Sequence, residues 1–241
     1  MAGRLFAIGD IHGCAGELEA LLAGLRPAPG DTLVCVGDYL DRGPDSRTVI
    51  DTVMDLEQRP GVATVFLRGN HEDMCLAYLG RAGQWGESWM MNGAPATLRS
   101  YGVPLGVDGP LAAECFPKAH LDFLEELLPW FVADRFLLVH AGIRPGRPLE
   151  QQTPEDFFWI REEFIQSPHD LPYTVVFGHT PRREILVDLP YKIGIDTGCV
   201  YGGRLTAVEL TEGVAYQVAR GERQVRRRAL GVAGAPVPPR P

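Results

Sequence analysis

Three short apolar runs in the first third of the chain each end in a glycine-flanked polar motif, and this repetition does most to restrict the fold. Leu5-Phe6-Ala7-Ile8 runs into Gly9-Asp10-Ile11-His12-Gly13. Thr32-Leu33-Val34-Cys35-Val36 runs into Gly37-Asp38-Tyr39-Leu40-Asp41-Arg42-Gly43, and residues 62–67 run into Arg68-Gly69-Asn70-His71-Glu72. Short unbroken apolar runs bounded by turn residues are the pattern of buried strands. Helical segments separate them. Leu18, Leu21, Leu22 and Leu25 share one face of the first, and Val49, Ile50, Val53 and Met54 one face of the second. Pro44 suits the first turn of that second helix, and Pro60-Gly61 breaks it. Asp10, Asp38 and Asn70 are 28 and 32 residues apart, about one βαβ unit each. Right-handed crossovers between parallel strands bring all three strand ends to one sheet edge, where open α/β sheets bind ligands.

The remainder repeats the device less regularly. Residues 73–130 read as helical and irregular. Within them, residues 80–128 are expected to form a helical insertion beside the active edge. Its Trp85, Trp89, Met90, Met91, Asn92-Gly93 and Tyr101 either shape substrate entry or simply pack a helical subdomain. Leu121, Leu124, Leu127 and Leu128 mark an amphipathic helix. A buried strand at residues 136–139 ends in His140-Ala141-Gly142, and one at residues 173–177 ends in Gly178-His179-Thr180. Between them, Thr153-Pro154-Glu155-Asp156 is a helix start with Thr as cap and Pro at the first position. Residues 191–195, 204–210 and 214–218 read as further strands, antiparallel because their links are short. Gly194-Ile195-Asp196-Thr197-Gly198 places one more acid after a strand. From Gly221 the pattern fails, so the expected organisation is one domain over residues 1–220 and a flexible tail over 221–241, which includes Arg226-Arg227-Arg228.

A chain of 241 residues can bury a substantial core. Its formal net charge of −8 argues against nucleic acid as the main partner. Five cysteines with no C-x-x-C pair argue against a disulfide framework or a zinc–thiolate site and for reduced thiols. No apolar run is long enough to span a membrane, and the first residues lack a secretory h-region. The expectation is a cytoplasmic protein; nothing here sets its oligomeric state.

Two carboxylates and a guanidinium crowd into Gly37–Gly43, an arrangement that a divalent metal and a phosphate would balance. Asp10 and His12, two apart at a strand end, can point to one side. A carboxylate with an imidazole suits Mn, Fe or Zn. Asp38, Asn70, His140 and His179 supply four more candidate ligands at strand ends. A single such histidine is readily a satisfied core residue, whereas four of the six at glycine-flanked strand ends are hard to explain as packing. His120 and His169 lie elsewhere and carry no assigned role. Six ligands exceed one tetrahedral site and suit two metals sharing a carboxylate, which stabilise in-line displacement at phosphorus. Arg42 and Arg161 can hold phosphate oxygens, with Arg144 and Arg182 as competitors of Arg161. His71 can protonate the leaving alkoxide, with Asp41 fixing its tautomer. Tyr39 and Leu40 read as turn packing.

The Gly9–Gly13, Gly37–Gly43 and Leu67–Glu72 motifs together resemble the three signatures of the phosphoprotein phosphatase family within the calcineurin-like metallophosphoesterases, with His140 and His179 in the expected order. The resemblance covers about residues 4–210. It implies an α/β fold, a four-layer sandwich of two mixed β-sheets flanked by helices, around a dinuclear centre. It also implies that Asp10 and His12 bind the first metal, Asp38 bridges, and Asn70, His140 and His179 bind the second. Arg42 and Arg161 would bind phosphate, and His71 paired with Asp41 would be the general acid. Two divalent ions, first of all Mn with Fe or Zn as alternatives, would deliver a bridging hydroxide.

The chain is shorter than the eukaryotic protein phosphatases and lacks their C-terminal segment. It looks closer to compact bacterial and phage-type members, some of them protein phosphatases and some symmetrical diadenosine tetraphosphatases. The leading expectation is a phosphomonoesterase acting on phosphoserine or phosphothreonine proteins, and on small phosphoesters. A symmetrical diadenosine tetraphosphate hydrolase is the alternative. A phosphodiesterase and a silent phosphate-binding module rank below both.

Overall fold

The computed structural model describes residues 3–231. Strands β1 (Leu5–Ile8), β2 (Thr32–Cys35) and β3 (Ala63–Phe66) alternate with helices α1 (Ala15–Leu25), α2 (Ser46–Leu56) and α3 (Asn70–Tyr78). A wholly helical stretch follows: a 3-10 turn at Gly86–Asn92, α4 (Ala94–Ser100), α5 (Gly109–Ala112) and α6 (Lys118–Glu126). Next come β4 (Trp130–Ala133), β5 (Phe136–Val139), α7 (Pro154–Trp159), α8 (Glu162–Ile165) and β6 (Thr174–Phe177). The described chain closes with β7 (Leu186–Asp188), β8 (Lys192–Gly194), β9 (Arg204–Glu209), β10 (Val214–Ala219) and β11 (Val225–Ala229).

Two mixed sheets result. One has the order β11-β10-β9-β1-β2-β3, with β1, β2 and β3 parallel. The other has the order β4-β5-β6-β8-β7, with β5, β6 and β8 parallel. Side-chain alternation along each central strand fixes the layers. Phe6 and Ile8 face the helices, while Ala7 faces the opposite sheet. In β5, Leu137 and Val139 pack under α7 and α8, while Phe136 and Leu138 turn inward to meet Val34 and Val36. The central strands are therefore covered on both faces, which is why β1 (Leu5–Ile8) and β5 (Phe136–Val139) are unbroken apolar runs. The four-layer α/β sandwich expected from the sequence is the fold.

Several local expectations are corrected. Pro44 lies before α2, whose cap position is Asp45. The strand at residues 192–194 is not antiparallel to its successor. It joins the other sheet, parallel to β6 and antiparallel to β7. Strands β4 and β7 went unread because β4 is an edge strand with no fully buried position and β7 has only three residues.

The tail expected from residue 221 is partly a strand. Val225–Ala229 pairs along five residues with β10. Its sequence looked unlike a strand because it is an edge strand with four exposed positions. Arg227 lies over Tyr216 at 4.9 Å and Arg228 reaches Glu184 at 3.0 Å. Basic side chains on an edge also discourage pairing with other chains. Residues 232–241 of the expected tail lie outside the described residues. Among the described residues, no helix is long and apolar enough to cross a membrane.

Val225 packs against α1 where Gly24 allows it, since a Cβ there would stand 2.6 Å from Val225 Cγ2. A chain ending at Gly221 should therefore unfold at a lower temperature. Loss of Val225 burial and of the edge pairing is worth about 1–2 kcal/mol. For a domain of this size that lowers the calorimetric midpoint by about 4 °C. An unchanged midpoint would show that β11 contributes nothing to stability.

Candidate metal centre and active site

The parallel strands of both sheets deliver their carboxyl ends to one place. Ile11 and His12 donate their amides to the Asp38 carbonyl at 3.0 and 2.8 Å, joining the β1 and β2 loops. The His179 amide donates to both Asp10 oxygens, at 3.1 and 3.0 Å, and so ties one sheet to the other. Gly178 N–H meets the His140 carbonyl at 2.7 Å. The turns are tight. Among the described non-glycine residues with positive φ are His12 (45°), Asp38 (55°), Asp41 (72°), Arg42 (68°) and His179 (64°). Such conformations each cost on the order of 1 kcal/mol and cluster where a scaffold holds functional groups in place.

Asp38 is the hub. Its carboxylate is 1% exposed and is shared by two clusters of potential ligands, His12–Asp38–His71 and Asp38–His140–His179. His12 Nε2 lies 3.4 Å from one oxygen and His140 Nε2 lies 3.3 Å from the other. The tautomers are set from behind. His12 Nδ1 donates to the Leu40 carbonyl at 2.7 Å, and His140 Nδ1 donates to the Val36 carbonyl at 3.0 Å. That leaves each Nε2 as a lone pair aimed at a carboxylate.

Burial lowers the pKa of His12, His140 and His179, so protonation does not relieve this convergence. Asn70 Oδ1 adds another acceptor, 3.0 Å from His140 Nε2 and 3.0 Å from His179 Nδ1. Burial, with the Asp196 and Asp38 carboxylates, pushes the Asp10 pKa well up. Acceptors converging in a buried space with imidazole, carboxylate and amide donors are a fit for divalent cations. A third grouping, Cys14, Glu17 and Cys199, differs, because Arg220 already holds both Glu17 oxygens at 2.8 Å.

Beside the hub stands a buried acid–base pair. His71 Nδ1 donates to Asp41 Oδ2 at 2.6 Å, and its buried Nε2 has no hydrogen-bond partner in the protein. Burial alone would lower the His71 pKa, but the Asp38 and Asp41 carboxylates outweigh it and the net shift is upward. Asp41 also accepts from Trp89 Nε1 at 2.7 Å and from Thr97 Oγ1 at 2.6 Å.

Arg42 Nη1 approaches His12 Nε2 at 2.5 Å, and its guanidinium lies 5.4 Å over the Tyr201 ring. Arg161, just beyond α7, is exposed, and its charge acts on His140, His179 and Asp196. Its competitor Arg144 is held away by Asp156 and Glu163 at 2.7 and 2.8 Å. Arg182 lines a neighbouring groove. His120 bonds Tyr101 and Asp51, and His169 bonds the Tyr191 carbonyl, so both are structural histidines.

Five contributors escaped the sequence reading. Glu72 is fully buried and accepts the amides of Gly69, Asp38, Tyr39 and Leu40 at 2.9–3.2 Å. Its place three residues after Gly69, where a capping acid reaches back to the cap amide, was the available signal. Leu40, read as packing, orients His12 through its carbonyl. Trp89 and Thr97 orient Asp41 from the helical stretch, and nothing local marks them. Asp196, noted only as an acid after a strand, is buried in the centre with its pKa pushed up to about 6, by burial first and then by Asp38 against the opposing Gly198 amide.

Glu72→Gln would turn an amide NH₂ towards donors that have no other acceptor. Each Glu72 oxygen accepts two amides, so two would be left unsatisfied, and we expect a loss of about 2–4 kcal/mol in urea unfolding. Wild-type stability in this variant would mean that Glu72 is not the clamp between the two loops.

Residues 3–203 match the family model of the calcineurin-like phosphoesterases. The chain is 34% identical over 221 residues to serine/threonine-protein phosphatase 1 of Salmonella typhimurium, covering 86% of this chain and 92% of that protein. It is 31% identical over 237 residues to the asymmetrical bis(5'-nucleosyl)-tetraphosphatase PrpE of Geobacillus thermodenitrificans, covering 85% and 89%. A crystal structure of a putative diadenosine tetraphosphatase superposes with a TM-score of 0.69 at 29% identity, over 91% of this chain and 95% of that one.

Proposed function

The chain belongs to the calcineurin-like phosphoesterases, and from that premise we propose that it is a metal-dependent phosphomonoesterase acting on phosphoserine and phosphothreonine in proteins. The observation that carries this reading is the buried His71–Asp41 pair set against a carboxylate, Asp38, that two ligand clusters share. In this reading Asp10 and His12 hold a first divalent cation, Asp38 is shared, and Asn70, His140 and His179 hold a second. Manganese comes first for such a mixed carboxylate–imidazole set, with iron or zinc next. Bound there, the cations would supply an acidified water as nucleophile and positive charge against the phosphoryl oxygens.

The protein's own groups do the rest. Arg42 stands inside the site, against His12 and over Tyr201, and offers its remaining N–H groups to phosphate oxygens. Arg161 adds a second guanidinium at the rim. His71 keeps its Nδ1 proton on Asp41, so Nε2 is the atom that carries a transferable proton, and the Asp38 and Asp41 carboxylates, which outweigh burial, favour the protonated ring. An alkoxide leaving from serine or threonine is a poor leaving group and needs that proton.

Hydrolysis of dinucleoside tetraphosphates is the second reading. Relatives bearing that name match most of this chain, and the same centre would serve a phosphoanhydride.

His71→Asn should lower kcat on a phosphoserine peptide by about 10²–10⁴-fold. It should lower kcat on para-nitrophenyl phosphate less, because nitrophenolate leaves without a proton. His71→Asn should keep the rise in melting temperature that Mn gives the wild type, and Asp38→Asn should lose both that rise and turnover. Equal losses on the two substrates would sink the general-acid role. With Mn added, a phosphoserine peptide should give a higher kcat/KM than a phosphotyrosine peptide, diadenosine tetraphosphate or a phosphodiester. A higher value for diadenosine tetraphosphate would overturn the protein-phosphatase reading in favour of the second.

A further inference from the structure

A groove of about 810 Å³ is lined by residues of two segments, 181–184 and 197–204, that follow His179 and Asp196 of the centre in the chain. One wall, two residues after His179, carries Arg182 and Arg183. The other, starting at Thr197 directly after Asp196, carries Tyr201 and Arg204. The Arg182 amide donates to the Asp196 carbonyl at 3.1 Å, so the two walls meet at the metal-site loops. Arg42 lies over Tyr201 at 5.4 Å and so belongs to both spaces.

The charge of the groove inverts that of the molecule. Formal net charge is −8, yet the lining holds three arginines and one acid, Glu184. Glu184 is already engaged by Arg204 at 3.3 Å and by Arg228 at 3.0 Å. Arg182 Nε is buried and makes no hydrogen bond within the protein, an uncommon state for a buried donor. Arg183 is exposed. Such a groove attracts an anionic extension of whatever is bound at the centre.

We propose that the groove cradles an acidic stretch of the substrate polypeptide next to its phosphorylated residue. The proposal rests on the phosphoprotein reading. Two features favour an extended peptide over a polyphosphate chain. Thr197, Gly198 and Gly202 present little side chain, and a Cβ added at Gly202 would meet nothing within 4 Å, so a main chain can lie close. In an extended peptide, side chains on one face recur about every 6.6–7 Å, which lets carboxylates address separate arginines and pass Glu184. A polyphosphate concentrates its charge and has no such freedom.

The test uses the full chain with Mn and two phosphoserine peptides that differ only in acidic or neutral residues after the phosphoserine. Wild type should prefer the acidic peptide by about tenfold in kcat/KM, as expected from two or three partly exposed ion pairs. Added salt should erode that preference. Arg182→Ala with Arg183→Glu should collapse the acidic-to-neutral ratio through KM, and Arg183→Lys should restore most of the loss seen for Arg183→Glu alone. No preference in wild type, or an unchanged ratio in the double variant, overturns the groove proposal while leaving the phosphatase reading intact. A double variant that loses activity on diadenosine tetraphosphate while keeping its peptide ratio would mark a polyphosphate channel and also overturn it. Wild type that cleaves neither peptide but cleaves diadenosine tetraphosphate overturns the phosphoprotein reading itself.

Discussion

A carboxylate at 1% exposure, Asp38, is the constraint on which the rest of the structure depends. Burial alone would protonate it. The four imidazoles around it outweigh burial and hold its pKa far below the usual carboxylate range, and of the four His71 is the one whose own pKa is shifted upward, towards the charged form. Every backbone atom it offers is engaged as well. Its amide reaches Glu72 at 2.9 Å, and its carbonyl receives the amides of Ile11 and His12. Its φ of 55° is a conformation that an isolated turn would abandon. Such a residue persists only where its surroundings over-determine it.

The over-determination explains why two sheets are needed. One sheet supplies Asp10, His12, Asp38, Asn70 and His71 from adjacent parallel strands. The other supplies His140, His179 and Asp196 from its own parallel triplet. Neither edge alone surrounds Asp38. The inter-sheet layer of Ala7, Val34, Val36, Leu138, Val176 and Ile193 sets the distance between the two edges. Close packing there resists the shifts that would separate the ligands. The helical stretch adds a third support, since the Gly93 carbonyl accepts the Arg42 amide at 3.2 Å while Trp89 and Thr97 hold Asp41.

The same division explains what the sequence discloses. Asp10, Asp38, Asn70, His140 and His179 follow apolar strands and are flanked by glycine, so local pattern and parallel topology together place them at one edge. Glu72 was harder to read, because its role depends on three amides more than thirty residues away, at Asp38, Tyr39 and Leu40. Leu40 acts through a carbonyl, which no side-chain pattern records. Trp89 looks the same in sequence whether it packs a helix or orients Asp41; the structure shows that it does both. Strand β11 was hidden because edge pairing asks for backbone partners and only one partly buried side chain, Val225. Val225-Arg226-Arg227-Arg228-Ala229 thus has the composition of a loop and the hydrogen bonds of a strand.

Substrate choice has a different physical address from the chemistry. Under the proposed function the centre binds phosphate oxygens and supplies a proton, operations common to serine phosphates and to phosphoanhydrides. Relatives whose names divide between protein phosphatase and tetraphosphatase can therefore resemble this chain equally well over most of its length. Selectivity must come from what the walls do with the rest of the substrate. On one side stand Arg182, Arg183 and Arg204 with Tyr201. Elsewhere on the rim Trp159 lies edge-on to His179 at 6.2 Å, and the half-exposed Trp85 lies edge-on to Trp159 at 6.3 Å. These surfaces differ in kind, one cationic and one aromatic. The first adjoins the centre through the Arg182 amide on the Asp196 carbonyl, the second through Trp159 against His179. If substrate is read outside the centre, as proposed, the walls can be altered without disturbing Asp38 and its four histidines.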